Sequence, residues 1–261
     1  MDIIVCLKQV PGTTQVKIDP QTNTLVRQGI KNITNPFDTY ALEAAIRLKE
    51  QYGGKVTAIS MGPPQADEML REAISLGADE AILLSDRAFA GADTLATSYT
   101  LARAITKIEK YDLIICGRQT IDGDTGQVGP ELAEMLSLPF VAYVSKIEEI
   151  NNGQMRVQRM IEEGYEVIEA PLPAVISVVK EINVPRLPSL RGITRAKSAV
   201  IPAWGAKELD ADQDRVGLAG SATRVIKIFF PQRGKRAEIL QGSPQSQVAS
   251  LVTKLRENGL I

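Results

Sequence analysis

The segment LIICGRQTIDGDTGQVG, Leu113–Gly129, decides the fold, because a short apolar strand runs directly into a glycine-rich loop and then into a helix. The strand, Leu113–Cys116, is apolar on both faces, as strands buried within a parallel sheet are. The loop and the helix start hold four glycines: Gly117, Gly123, Gly126 and Gly129. Glycines let a backbone approach a ligand closely, and the free N–H groups of a helix N-terminus attract phosphate. The segment therefore predicts a strand–loop–helix unit whose loop binds a nucleotide.

The spacing of the loop leaves alternatives open. It matches neither G-x-G-x-x-G nor the Walker A motif, which requires a lysine that is absent here. Asp122 and Asp124 resemble the start of a calcium-binding loop, but no third ligand follows and no helix precedes them. We therefore expect no metal. A glycine-rich turn capped by Asp and Thr side chains remains the alternative to a nucleotide site.

The same strand–helix alternation extends through the first half of the chain. The predicted strands are Ile3–Leu7, Lys55–Met61, Ala81–Leu84 and Leu113–Cys116. The predicted helices are Asp38–Gln51, Pro64–Leu76, Thr94–Lys107 and Val128–Leu136, with Asp38 and Asp93 as N-caps of the first and third. A hairpin is expected at Lys17–Gln28, with its turn at Asp19–Asn23. This alternation predicts right-handed βαβ units and a parallel sheet.

The second half of the chain has a different pattern. Four strand-like runs separated by short turns follow: Phe140–Ile150, Met155–Glu162, Tyr165–Glu169 and Ala174–Val179. From Pro185 onward regular periodicity is lost, which favours an arm that lies on another chain. Ser246–Asn258 is a final amphipathic helix. We predict an α/β fold: a Rossmann-like, doubly wound, mostly parallel sheet in residues 1–184, with added antiparallel strands, and an extended C-terminal arm in residues 185–261.

Composition excludes several classes of function. The chain of 261 residues has no histidine, which excludes Ser-His-Asp and Cys-His catalysis and His-ligated metal centres. Its two cysteines, Cys6 and Cys116, cannot form a four-cysteine site, and they favour a reducing cytoplasm. The net charge of −1 gives no reason to bind nucleic acid. No apolar run is long enough to span a membrane, and the N-terminus resembles a first strand rather than a signal peptide.

Several weak signals meet at one edge of the predicted sheet. Cys6 and Lys8 end the first strand, and Met61 ends the second. Asn35–Asp38 and Gly91–Thr94 each precede a helix, where a plain capped turn is the alternative. Lys8 could face a phosphate or water. Because ligands of such sheets bind outside the carboxyl ends of the strands, one ligand could contact all these segments.

The residues resemble the beta subunit of an electron-transfer flavoprotein over nearly the whole chain. The resemblance is carried by Val5–Val10, Asn35–Asp38, Met61–Pro63, Gly77–Asp79, the Gly117–Gly129 loop, Arg159, Glu162, Gly164, Glu166, Leu172–Val175, Asn183–Arg186 and Lys254–Leu255. In this family the beta subunit pairs with an alpha subunit that holds FAD. The resemblance implies a cofactor-based function for which this chain need supply no catalytic acid or base.

The family has two types, and the loop separates them. Ordinary beta subunits hold AMP, with Asp-Asp-Asp followed by Asn-Gln-Thr-Gly. Electron-bifurcating ones hold a second FAD that NADH reduces, with Gly-Asp-Thr-Ala-Gln-Val-Gly-Pro. Here Gly123–Pro130 is similar to the bifurcating type, as is Gly91–Thr94, although Gly126 replaces the usual Ala. Gly123 and Val128 remove a charge and a hydroxyl where a monophosphate would bind, which leaves room for a diphosphate.

The resemblance also implies the cofactor-binding residues. The loop would hold the diphosphate and ribose, through Gly117, Arg118, Gln119, Thr120, Ile121, Asp122, Gly123, Asp124, Thr125, Gly126, Gln127 and Val128. Around the adenosine we expect Cys6, Asn35, Pro36, Phe37, Asp38 and Met61. Asp93 and Thr94 would lie further along the cofactor.

The resemblance gives the C-terminal arm a purpose. The family's recognition loop corresponds to Pro185–Lys197, and its docking leucine falls at Leu190. The expected partners are the alpha subunit, on which the tail from about Ile201 would lie, ferredoxin, and an acyl-CoA dehydrogenase-like or other flavin dehydrogenase. Leu187–Leu190 departs from common family sequences, which leaves the identity of the dehydrogenase open. A stand-alone nucleotide-binding module would have no use for such an arm.

Overall fold

The computed structural model describes residues 1–12, 32–226 and 237–261, together with the backbone of two short strands at Lys17–Ile18 and Leu25–Val26. Contacts divide the chain into two units, Met1–Ile226 and Lys227–Ile261. The first unit contains the sheet and its covering helices. The predicted boundary between residues 184 and 185 thus lies inside this unit.

The first unit contains thirteen strands and five α-helices within its described residues. The strands are β1 (Asp2–Cys6), β2 (Gln9–Pro11), β3 (Lys17–Ile18), β4 (Leu25–Val26), β5 (Asn32–Thr34), β6 (Lys55–Met61), β7 (Glu80–Leu84), β8 (Leu113–Gly117), β9 (Phe140–Asn151), β10 (Gln154–Ile161), β11 (Gly164–Pro171), β12 (Ala174–Val178) and β13 (Ala203–Trp204). The helices are α1 (Pro36–Tyr52), α2 (Asp67–Leu76), α3 (Thr94–Ile108), α4 (Val128–Leu136) and α5 (Leu190–Ser198).

A nine-stranded sheet organises these elements, in the order β11-β10-β9-β12-β8-β1-β6-β7-β13. The strands from β12 to β13 are parallel, and β9, β10 and β11 pair antiparallel to one another. From β1 the chain moves outward through β6 and β7, and then returns to β8 on the other side of β1. The strand order therefore reverses between β1 and β8. The prediction of a doubly wound, mostly parallel sheet with added antiparallel strands is confirmed.

The apolar runs explain why both faces of the sheet are covered. In β1, Ile3 and Val5 pack into the core beneath α1 and α2, whereas Ile4 packs into the core beneath α3 and α4. Because side chains alternate across a strand, an unbroken apolar run supplies both cores at once.

Two predicted N-cap residues, Asp93 and Asp38, can be compared with the helix starts in the structure. Asp93 caps α3, as predicted, and its side chain accepts a hydrogen bond from the Ala96 N–H. The prediction that Asp38 is an N-cap is wrong, because α1 begins at Pro36 and places Asp38 in its first turn. Proline suits the first helical position, where no N–H is needed. The buried Asp38 carboxyl faces the end of β1 instead.

The predicted hairpin is present in part. Lys17–Ile18 pairs antiparallel with Leu25–Val26. Its turn, predicted at residues 19–23, lies outside the described residues.

The arm is more regular than predicted. Leu190–Ser198 forms α5, whose cap Ser189 accepts a hydrogen bond from the Gly192 N–H at 3.0 Å. β13 adds to the edge of the sheet beside β7. The expectation of an irregular arm is therefore wrong for these two elements, which pack on their own domain; contact of the arm with another chain stays a prediction.

Within its described residues the second unit contains one helix, α6 (Pro244–Glu257), where the sequence predicted Ser246–Asn258. On its apolar face Val248 and Leu251 are exposed, and Val252 and Leu255 are partly buried. In the described part of the chain no helix has the length and apolar character needed to cross a membrane.

We expect Gly117→Ala to destabilise the protein, because an added Cβ would collide with the Asp38 carboxylate and lie 2.7 Å from the Phe37 carbonyl carbon. The loss should be about 1–3 kcal/mol, as for other overpacked sites. Thermal unfolding of the purified protein measures it. Gly123→Ala is the matched control, since its Cβ would lie 3.5 Å from the Thr120 hydroxyl and clash with nothing. Equal melting temperatures for the two variants would contradict this packing.

Candidate nucleotide site at the carboxyl edge of the sheet

The candidate site lies where β1 and β8 end side by side. At this reversal of strand order the connections leave toward opposite faces, which opens a crevice beyond the strand ends. Lys8 follows β1, Asn35–Asp38 begins α1, and the loop Arg118–Gln127 follows β8. These segments are far apart in sequence and meet here through hydrogen bonds.

The side chain of Asn35 joins the three segments. It is fully buried, and its Nδ2 donates to Asp38 Oδ1 at 2.9 Å and to the Gln119 carbonyl at 2.8 Å. Its Oδ1 accepts from the Ile121 N–H at 3.2 Å. Its backbone N–H donates to the Lys8 carbonyl at 2.9 Å. Asn35 therefore fixes the first residues of the loop against the ends of β1 and α1.

Asp38 lies behind Asn35 and is also buried. Its Oδ2 accepts the Lys8 N–H at 2.7 Å. Burial raises the pKa of Asp38 to about 7, although hydrogen bonds from Asn35, Lys8 and Gly117 act in the opposite direction. The backbone of Gly117 reaches this carboxyl because no Cβ stands between them.

The loop itself faces solvent. Residues 121–127 are all exposed, and a turn closes on a hydrogen bond from the Asp124 N–H to the Thr120 carbonyl at 2.9 Å. Asp124 and Gly126 have left-handed backbones, with φ of 55° and 64°. Glycine at position 126, in place of the family's usual alanine, suits that conformation.

The loop offers unused hydrogen-bond donors. Gln127 precedes α4 without capping it by its side chain. Among the described residues, the N–H groups of Gly123 and Thr125–Val128 donate to no other group. Such N–H groups at a helix N-terminus form a site for an anion.

Lys8 is paired with this loop, an arrangement that differs from both predicted alternatives for its side chain. Its Nζ lies 2.9 Å from Asp122 Oδ1. Burial raises the pKa of Asp122, but hydrogen bonds from Lys8 and Thr120 outweigh it, so the pKa lies below its usual value. The ion pair neutralises one carboxylate of a loop that would otherwise repel phosphate.

The N-terminus of α3 borders the same loop. Thr94 Oγ1 lies 3.2 Å from Gln127 Oε1 and 3.0 Å from Glu131 Oε1. Ser98, one turn further along α3, donates to Glu131 Oε2 at 3.0 Å. The carboxylate of Asp93 points elsewhere, because it caps α3 and accepts from Thr223 N at 2.8 Å.

The structure brings most of the predicted site residues to this edge, with different exposure. Arg118 and residues 121–127 are open to solvent, whereas Asn35 and Asp38 are buried and shape the loop from behind. Cys6 and Met61 end the neighbouring strands β1 and β6. A hydrogen bond with the adjacent Cys116, together with burial, raises the pKa of the Cys6 thiol, which disfavours the thiolate form.

Two residues at this edge, Tyr143 and Ser98, were not predicted from the sequence. Tyr143 is exposed, has φ of 60°, and carries the Arg118 guanidinium over its ring at 5.2 Å. No sequence signal marks it, because it lies two strands away across the sheet. Ser98 was not predicted either, although it lies four residues after the predicted Thr94 on one face of α3, so the sequence did hold a signal for it as a second partner of Glu131.

An exposed glycine loop at the strand reversal of a doubly wound sheet is typical of nucleotide-binding α/β domains. A family model described as Electron transfer flavoprotein domain matches residues 22–209. The chain therefore belongs to the electron transfer flavoprotein family.

The sequence is similar to those of related proteins over its full length. The electron transfer flavoprotein subunit beta of Thermoanaerobacterium thermosaccharolyticum is 49% identical over 262 residues, covering 100% of both chains. The subunit beta of Clostridium acetobutylicum is 48% identical over 261 residues, again 100% of both. The caffeyl-CoA reductase-Etf complex subunit CarD of Acetobacterium woodii is 49% identical over 263 residues, 100% of both. The predicted resemblance to a beta subunit is confirmed.

We expect Asp38 to make stability depend on pH. Its folded-state pKa of about 7 lies above the ordinary 3.8, so the folded protein binds the proton more tightly than the unfolded chain. This contribution is complete below about pH 4 and is lost as the pH rises to about 7, at up to about 1.4 kcal/mol per pH unit.

The measurement compares the pH slope of the free energy of unfolding between the wild type and Asp38→Asn, which cannot titrate. The variant's absolute stability can differ, since an amide replaces an acceptor, but the slope between pH 5 and 7 should become less negative. Identical slopes would show that Asp38 does not titrate in this range.

Proposed function

We propose that this chain is the FAD-binding beta subunit of an electron-bifurcating electron transfer flavoprotein. The bound FAD would accept hydride from NADH and pass electrons to ferredoxin and, through the alpha-subunit FAD, to a partner flavin dehydrogenase. The loop Asp122–Val128 carries this proposal, since it exposes donors for a diphosphate beside Lys8.

Gly123 supports a ligand that approaches the loop closely. Its backbone is not left-handed, and a Cβ would meet nothing nearer than the Thr120 hydroxyl at 3.5 Å. The fold of the chain therefore does not itself require glycine at this position. A bound diphosphate lying against the backbone would require it.

Val128 supports a diphosphate over a monophosphate. Its side chain packs against the core beneath α3 and α4 and offers no hydroxyl to an anion. The N–H groups from Gly123 to Val128 would then be the donors, aided by the positive end of α4. Thr94, placed beside Gln127, borders the path along which the rest of the cofactor would extend.

Exposed apolar surfaces support the proposed partners. An alpha subunit is the expected partner of a beta subunit, and the exposed face of α6 supplies a surface for it. Leu190, 86% exposed, would contact the dehydrogenase. The relative from Acetobacterium woodii is named as part of a caffeyl-CoA reductase complex, which supports a partner oxidoreductase that acts on a CoA thioester. Ferredoxin as acceptor and a cytoplasmic location stay predictions.

Cofactor content tests the proposal. The purified heterodimer is denatured, and the released FAD and AMP are quantified by chromatography. We expect two FAD per heterodimer, with both flavins bleached anaerobically by NADH. One FAD together with one AMP would overturn the proposal in favour of a structural, AMP-binding beta subunit.

Val128→Thr tests the role of the loop. The change is nearly isosteric, but the added hydroxyl either stays unpaired against the core or turns toward the loop donors that the diphosphate would use. FAD retention by this subunit should therefore fall by roughly 10-fold, as for one misplaced polar group. Equilibrium dialysis against FAD gives the affinity.

Val128→Ala is the control, because it loses packing but adds no hydroxyl. Loss of FAD in Val128→Thr alone supports the assignment. Unchanged FAD affinity in Val128→Thr would count against it.

A further inference from the structure

The segment Val184–Leu190 follows β12 and ends at the first residue of α5, and we call it the docking segment. Leu187 and Leu190 are 88% and 86% exposed, so they bury almost nothing on their own chain. Their own packing therefore cannot hold this segment in one conformation. Some other contact must do so if it is to be preformed.

Arg186 supplies that contact through α1. Its Nε and backbone N–H donate to Glu43 Oε2 at 2.8 and 3.2 Å, and its Nη2 donates to Glu43 Oε1 at 3.3 Å. The same guanidinium donates to Glu50 Oε1 at 2.6 Å and Oε2 at 2.9 Å. One arginine thus binds two carboxylates on one face of α1, with the paired geometry that only a guanidinium provides.

Glu43 is the inner member of this cluster and is only 3% exposed. Burial raises its pKa, but hydrogen bonds from Arg186 and Arg47 outweigh burial, so the pKa lies below its usual value. Arg47 also donates to the Val184 carbonyl at 3.1 Å. The backbone is therefore held at both Val184 and Arg186.

The helix α5, which continues from the docking segment, is held against α2. Gly192 packs so closely on α2 that an added Cβ would collide with the Ser75 carbonyl. Arg195 donates to the Ile74 and Ala78 carbonyls at 2.6 and 2.5 Å. Leu187 therefore lies between the backbone held at Arg186 and the capped start of α5, whose first residue is Leu190.

We propose that Arg186 is a positioning residue that presents Leu187 and Leu190 as a preformed apolar docking surface for the partner flavin dehydrogenase. This inference rests on the docking role given to Leu190 under the proposed function. Arg191 and Lys197 are exposed beside the surface, so the matching pocket is apolar with an acidic rim. Because the segment is already fixed before binding, docking loses less conformational entropy.

The test uses the purified heterodimer and a short-chain acyl-CoA dehydrogenase reduced by butyryl-CoA. The variants are Arg186→Gln, Arg186→Lys, Leu190→Ala and the double variant Arg186→Gln/Leu190→Ala. Arg103→Gln is the matched control, because Arg103 also ties a helix to a later segment, through the Leu209 and Asp210 carbonyls at 3.1 and 2.9 Å, but on the other face of the sheet. KM for the heterodimer and kcat are measured separately.

We expect Leu190→Ala and Arg186→Gln each to raise KM by roughly 10-fold with kcat unchanged, the size of a docking hot spot. The KM of Arg186→Lys should lie between the KM values of these two variants and that of the wild type. In the double variant KM should rise no further than in Leu190→Ala, because both changes remove the same surface. The control should keep the wild-type KM.

Hydrogen exchange without any partner gives a second measurement. The amide at position 186, which donates to Glu43 Oε2 at 3.2 Å, should exchange at least about 10-fold faster in Arg186→Gln and at the wild-type rate in Arg103→Gln.

The outcomes separate the two proposals. If Leu190→Ala leaves KM unchanged, docking through Leu190 is wrong and this inference falls with it. If Leu190→Ala raises KM but Arg186→Gln does not, or if exchange of the amide at position 186 is unaltered, docking stands and the positioning role of Arg186 is wrong.

Discussion

The site depends on the buried amide of Asn35. Its Nδ2 and Oδ1 bind the Gln119 carbonyl and the Ile121 N–H, while its backbone N–H binds the Lys8 carbonyl. An exposed loop has little packing of its own, so these hydrogen bonds decide where it lies. Leaving such buried groups unpaired would cost about 1–3 kcal/mol each. The amide therefore fixes the loop in one conformation at the place where the ends of β1 and β8 lie beside the start of α1.

Helix α1 connects this loop to the docking segment. It begins at Pro36, directly after Asn35, and carries Glu43 and Glu50 further along. With 17 residues it is about 25 Å long, and it is packed into the core along most of that length. One rigid element thus positions the nucleotide loop at its first turn and the docking surface at its later turns. The two functions proposed for the chain share a scaffold, although they use different residues.

Local signals predicted much of the fold. Lys55–Met61 and Val128–Leu136 begin and end where apolar pattern and turn residues indicated, because both faces of the strand and one face of the helix are buried by neighbours of the same chain. The helix α5 was missed because it is short, and because its contacts are an arginine and a glycine backbone rather than an apolar stripe. Asp38 was misplaced because a carboxylate near a helix start resembles a cap, and only the tertiary structure buries it.

The candidate site was predictable to the level of segments. Strand ends had to converge at one edge, which brought Asn35–Asp38 and the Gly117–Val128 loop together. The pairing of Lys8 with Asp122 and the place of Tyr143 depend on side-chain directions and strand neighbours, which spacing cannot give. A crystal structure of the heterodimer is the most direct measurement of the central claim. It should show an FAD diphosphate against the N–H groups of Gly123–Val128; AMP at this loop, with FAD in the alpha subunit alone, would contradict it.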